Sequence, residues 1–157
     1  MTDESTVPAP ALRISLREHA PEFYRPLLDA ARAAAAGLAD PLLAELVNLR
    51  ASQINGCAYC LDSHASGARA HGEREHRLDT LAAWRETPYF TARERAALAL
   101  TESVTLVAGT RVPDGVFAEA AKHFPEAELA HLIGLISMIN ALNRVGVASR
   151  LTPAPKG

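Results

Sequence analysis

The sequence predicts an all-α fold, a single-domain helical bundle of about six to seven helices. Three observations predict it. Apolar residues recur at helical spacing, helix caps punctuate those stretches, and no sustained apolar–polar alternation marks a strand. With 157 residues the chain is one domain's worth and can bury a real core.

The elements follow in order. Residues 1–11 are polar and proline-rich and read as a mobile arm, and 151–157 read as a mobile tail. The domain proper spans 12–150. A first helix is expected over 21–36, closed by Gly37 as a left-handed cap. A second starts at Asp40 as N-cap, with Pro41 at its first helical position. It carries Leu42, Leu43, Leu46, Leu49 and Ile54, with Glu45 among them, until Asn55-Gly56 breaks it. A third runs over about 57–70 and ends at His71-Gly72. A fourth, about 73–84, carries Leu78, Leu81 and Trp84. Thr91-Ala92-Arg93-Glu94 is a capping box, in which two side chains satisfy orphan backbone donors reciprocally. It opens a fifth helix to about 108. A short sixth covers 113–123, and Phe124-Pro125-Glu126 opens a long last helix to about Ser149.

That last helix is apolar nearly all round between Leu129 and Leu142. A surface helix shows a polar face, so this one is expected to be central or covered by a second subunit. So few residues to surround it favour a homo-oligomer. His131, Asn140, Asn143 and Arg144 interrupt the run, so it does not read as membrane-spanning. Asn140 and Asn143 need partners there, expected to be backbone groups at a helix crossing or subunit contact. Trp84 and Phe90 read as core. His19, His71, His76, His123 and His131 read as structural or solvated.

A net charge of −2 and 5% aromatic residues argue against a nucleic-acid or polyanion partner. The acidic start, with no apolar stretch behind it, does not read as a signal peptide, so a cytoplasmic location is the expectation. The only two cysteines, Cys57 and Cys60, are no structural scaffold. A loop this short stabilises by roughly 2 kcal/mol at best. In a reducing compartment such a pair is more often catalytic or metal-binding.

The chemistry lies in Cys57-Ala58-Tyr59-Cys60-Leu61-Asp62-Ser63-His64. Asn55-Gly56 puts both cysteines at a helix N-terminus, whose partial positive charge favours thiolate. Cys57 and Cys60 are three residues apart on one face and can bridge. His64, four residues past Cys60, shares that face and can accept its proton. Glu45, on the preceding helix, is the candidate acceptor behind His64. Helices joined by a short turn pack side by side, and its neighbours Leu42, Leu43, Leu46 and Val47 are apolar.

Glu45, Cys57-x-x-Cys60 and His64 together resemble the proton-relay motif of alkylhydroperoxidase D-like proteins, in the carboxymuconolactone decarboxylase superfamily. The lead-in Leu49-Arg50-Ala51-Ser52-Gln53-Ile54-Asn55-Gly56 is similar too. So are Ala82-Ala83-Trp84-Arg85-Glu86, the stretch from Phe90 to Leu98, and Ile139-Asn140-Ala141-Leu142-Asn143-Arg144. The resemblance covers about residues 40–150. It implies an all-helical fold and symmetric oligomers, often trimers or hexamers. It also implies thiol-dependent reduction of a hydroperoxide, or of a disulfide, with a dithiol reductant or redox partner protein. By that resemblance Cys60 would form the sulfenic acid, Cys57 would resolve it, and Glu45 and His64 would relay the proton, with no cofactor. The best-known members carry a histidine just before the second cysteine, where this chain has Tyr59. Tyrosine donates a hydrogen bond but is a poor base near pH 7. The decarboxylase branch lacks the cysteine pair, so the superfamily name does not give this chain's reaction.

Two other readings of the residues stand beside this one. Cys57, Cys60 and His64, with Glu45, could hold zinc in a non-enzymatic helical module, or such a module could serve to bind a partner. Structural zinc usually draws on a second, distant ligand pair, and no further cysteine exists. The dithiol could also reduce a partner protein with little peroxidase activity. A c-type haem site would need histidine where Leu61 stands.

Overall fold

The computed structural model describes residues 7–154, so the outer ends of the expected arm and tail lie outside the described residues. Nine α-helices and a 3-10 helix are found there, and no strand among the described residues. They are α1 (Leu16–His19), α2 (Pro21–Ala36), α3 (Pro41–Asn55), α4 (Ala58–Ala70), α5 (Glu75–Thr80), the 3-10 helix (Leu81–Glu86), α6 (Ala92–Thr105), α7 (Val107–Thr110), α8 (Asp114–His123) and α9 (Glu126–Ser149).

The caps form where the sequence signals them. Asp40 Oδ1 accepts from the Leu42 and Leu43 amides at 2.9 and 3.2 Å. Thr91 and Glu94 exchange bonds at 2.7 and 3.2 Å. Gly56 closes α3 in the left-handed conformation, φ 68°.

Three expectations are corrected. Gly37 does close α2, but at φ −79° it is right-handed. Its role is close approach: a Cβ there would fall 2.0 Å from the His131 ring on α9. The expected fourth helix is α5 followed by the 3-10 helix, with Ala83 outside helical geometry. Leu78, Leu81 and Trp84 recur every third residue, and a period of three keeps them on one buried face of a 3-10 turn. The fifth helix ends at Thr105, and Leu106, at φ −100° and ψ 31°, separates it from α7. The β-branched run Val104, Thr105 and Val107 weakens a helix there. These breaks, with short α1, raise the helix count above the expected six to seven.

Helix α3 lies between two apolar clusters. Leu43 and Val47 pack with Leu100, Leu132, Leu135 and Ile136. Leu46 and Leu49 pack with Ala68, Leu81, Trp84, Phe90 and Leu98. Trp84 and Phe90 are therefore core, as expected. Helix α9 is long and apolar enough to cross a membrane by length and composition alone. It packs here against α2, α3, α4, α6 and α8, which cover part of its apolar surface.

The asparagines of α9 sit in a buried network. Asn55 Nδ2 donates to Asn140 Oδ1 at 2.9 Å and Asn143 Oδ1 at 3.0 Å. Asn140 Nδ2 reaches Thr105 Oγ1 and Asn143 Nδ2 reaches Ser52 Oγ, each at 3.0 Å. The partners are mostly side chains rather than the expected backbone, with one backbone bond to Ile136 O at 2.9 Å. The network ties α9 to α3 and α6 beside the cysteines.

Candidate functional site

The site is built on the α3–α4 hairpin. Cys57 is the N-cap of α4, and its Sγ accepts the Cys60 amide at 3.3 Å. Cys60 lies in the first turn. The two are joined as a disulfide, with Cα atoms 5.3 Å apart. Cys57 is 1% exposed and Cys60 6%. In the reduced pair, the amide and the helix terminus favour negative charge on this turn.

Gly56 lets α3 and α4 turn back on each other, and Glu45 comes beside α4 as a result. Glu45 Oε2 and His64 Nδ1 are 2.7 Å apart, and both side chains are largely shielded. An ionised carboxylate only accepts hydrogen bonds, so it holds the imidazole proton on Nδ1. The lone pair is then on Nε2, where it can take a proton from a thiol. Arg50, the other cation near Glu45 in sequence, is engaged by Glu102 at 2.9 Å instead.

Cys60, Ser63, His64 and Tyr59 line one cleft of about 320 Å³, within the range of small-molecule sites. Its walls are apolar: Leu28, Ala31 and Ala35 from α2, and Leu135, Ile139 and Leu142 from α9. Tyr59 is 42% exposed at this opening. Leu151, at the start of the expected tail, donates its amide to Gly146 O at 2.9 Å and lines the cleft. No group of three or more His, Cys, Asp or Glu side chains among the described residues is arranged to hold a metal. The thiols that the zinc reading needs are bonded to each other.

The four predicted residues thus divide into two touching pairs, Cys57–Cys60 and Glu45–His64, with Cys60 and His64 on one cleft. Sequence reasoning missed three others. A Cβ on Gly67 would lie 2.6 Å from Glu45 Oε1, so glycine makes room for the carboxylate. A Cβ on Gly146 of α9 would lie 2.8 Å from Cys57 Sγ. Glycine inside a helix costs about 1 kcal/mol against alanine, and that cost is the signal that could have found both. Asn48, one turn beyond Glu45, also lines the cleft and is 8% exposed, with its Oδ1 buried and unpaired.

The sequence model of the carboxymuconolactone decarboxylase family matches residues 21–103, a stretch that holds all four predicted residues. The uncharacterised protein YdfG of Bacillus subtilis (strain 168) is 38% identical over 136 residues, 87% of this chain and 92% of that protein. Among solved structures, a protein of unknown function from Agrobacterium tumefaciens superposes with a TM-score of 0.89 at 32% identity. The match covers 93% of this chain and 100% of that one, which is named as a candidate antioxidant defence protein AhpD. The debrominase Bmp8 shares the fold, with a TM-score of 0.76 at 18% identity over 85% of this chain and 72% of that one. The chain belongs to the carboxymuconolactone decarboxylase family and is an AhpD-like member of it.

Proposed function

We propose that this protein is a thiol-dependent peroxidase and disulfide oxidoreductase. The observation that carries the reading is the 2.7 Å Glu45–His64 contact beside a bridged Cys57–Cys60 pair that opens on an apolar cleft. In the reduced protein His64 takes the Cys60 proton. The thiolate sulfur attacks the outer peroxide oxygen, the O–O bond breaks, and the departing alkoxide collects the proton from His64 as an alcohol. The sulfur is now a sulfenic acid. Cys57 sulfur attacks it, hydroxide leaves and takes the Cys57 proton as water, and the disulfide seen here forms. An external dithiol restores both thiols by exchange and becomes a disulfide itself.

The test is hydroperoxide turnover with a dithiol reductant. We expect turnover that Cys60→Ser abolishes; wild-type activity no better than that variant overturns the peroxidase reading. The same reading takes the protein as cytoplasmic and as a homo-oligomer, a trimer or hexamer. Light scattering on the purified chain tests this, and a monomer refutes it.

A further inference from the structure

The cleft that ends at Cys60 begins among arginines. Arg17 of α1 and Arg32 of α2 line its outer part with Tyr24. A hollow of about 300 Å³ adjoins it there, lined by the same three residues with Arg25, Leu28 and Asp29. Three arginines against one aspartate leave two unmatched positive charges at this mouth. Asp29 is paired with Arg32 at 2.8 Å. Arg17 and Arg25 have no ion-pair partner among the described residues. The chain as a whole is slightly acidic, so this is a local excess and not a general surface property.

The inner end has the opposite character. Glu45 stands behind His64, and when Cys60 passes its proton to His64 the three groups together keep one net negative charge. Between the two ends α2 and α9 contribute Leu28, Ala31, Ala35, Leu135, Ile139 and Leu142, and α3 contributes the polar Asn48. A molecule that fits must therefore be largely apolar through its middle, and its anionic group is repelled from the sulfur end and attracted to the mouth. The guanidinium fork matches a carboxylate bidentately.

We propose that the substrate is a carboxylate-bearing hydroperoxide with an apolar body. Arg17 and Arg25, the two unmatched arginines, hold the carboxylate at the mouth, and the peroxide end lies at Cys60. This rests on the peroxidase reading for its chemistry, while the binding mode stands on the cleft itself. The charge polarity sets which end of the substrate meets the sulfur, and the arginines take no part in bond breaking.

The test compares a medium-chain fatty acid hydroperoxide with its methyl ester, which keeps the apolar body and removes the charge. The wild-type protein is expected to favour the acid in kcat/KM by on the order of fivefold per engaged arginine, the scale of an exposed ion pair. The double variant Arg17→Gln/Arg25→Gln brings the acid-to-ester ratio close to one, and high salt does the same to wild type. A wild-type ratio near one, or a ratio that the double variant leaves unchanged, overturns the proposal.

A binding arm separates this outcome from a failure of the peroxidase reading. The corresponding hydroxy acid and its methyl ester are titrated against the oxidised protein by calorimetry, which needs no turnover. Tighter binding of the acid to wild type, lost in the double variant, supports the site even if neither hydroperoxide reacts. Equal affinities for acid and ester in wild type overturn it even if both react.

Discussion

Replacing Gly67 with alanine should disable the relay without touching any residue in it. The added Cβ would stand 2.6 Å from Glu45 Oε1, 2.7 Å from Cδ and 3.0 Å from Oε2. Ordinary heavy-atom contact is about 3.5 Å, so the carboxylate must withdraw by roughly 1 Å. Oε2 is the atom bonded to His64 at 2.7 Å, and a withdrawal of that size along the contact stretches it to about 3.7 Å, beyond hydrogen-bond range. The obstructing atoms are the far end of a flexible side chain, so the fold can yield. Alanine gains about 1 kcal/mol over glycine inside a helix. A lost hydrogen bond to a charged group costs about 1.5–3 kcal/mol, so alanine offsets part of it and the net loss of stability is about 0.5–2 kcal/mol. Catalysis has no such compensation. General acid–base help is worth about 10²–10⁴-fold, and we expect a loss near the lower end. The assays are hydroperoxide turnover, the alkylation rate of reduced Cys60 at neutral pH, and Tm. Glu45→Gln and the double variant complete a cycle, in which the two losses overlap rather than add. Turnover and alkylation within twofold of wild type in Gly67→Ala, or a variant structure with the 2.7 Å contact intact, would refute the reasoning.

The remaining predictions concern the second glycine, the buried carboxylates and the end of α9. Gly146→Ala places a Cβ 2.8 Å from Cys57 Sγ, which is fixed in the disulfide but free to rotate in the dithiol. The disulfide should become easier to reduce, by on the order of 20 mV per kcal/mol of overpacking; an unchanged potential in a glutathione titration argues against it. Burial alone would raise the Glu102 carboxyl's pKa, but Arg85, Trp84 and Arg50 bond it and hold it below the ordinary 4.5. Glu94 is likewise raised by burial and brought lower by Arg77 and the Thr91 backbone. Both are depressed in the folded state, so the unfolded chain binds more protons in acid. Their contribution is complete above pH 4.5 and drains away as pH falls below it. Tm measured from pH 7 to 3 should fall at the acid end, and less steeply in Glu102→Gln; parallel curves would contradict this. Glu102→Ala also strands the Trp84 indole and Arg50, and should cost about 2–4 kcal/mol by chemical denaturation. Arg150 caps α9 at φ 58°, which costs a non-glycine residue roughly 1–2 kcal/mol. Arg150→Gly should therefore raise the unfolding midpoint, and a lower midpoint would show that the arginine side chain contributes more than its backbone costs.

The grouping of the candidate site residues was legible because it is local. Cys57, Cys60 and His64 fall within two turns of one helix, so spacing alone puts them on one face. Glu45 needed only the further step that a tight Asn55-Gly56 turn forces α3 against α4. The helix starts were legible for the same reason, since Asp40, Thr91 and Glu94 satisfy backbone groups within a few residues. Where the sequence reading erred, the deciding contact was distant. Gly37 looks like a left-handed cap from its neighbours, but its role is set by His131, on α9 across the core. The break at Ala83 follows from which face Leu78, Leu81 and Trp84 must bury, and that depends on Leu46 and Leu98 of other helices.

By itself, then, the sequence determined an all-helical chain with a dithiol and a base in register, because helical periodicity and capping are short-range. Only the tertiary structure decided the rest. It put aliphatic walls from α2 and α9 around Cys60, arginines of α1 and α2 at the mouth, and unsubstituted glycines against Glu45 and Cys57. Those placements depend on how helices far apart in sequence cross, and a crossing is fixed by close packing of whole surfaces rather than by any short run of residues.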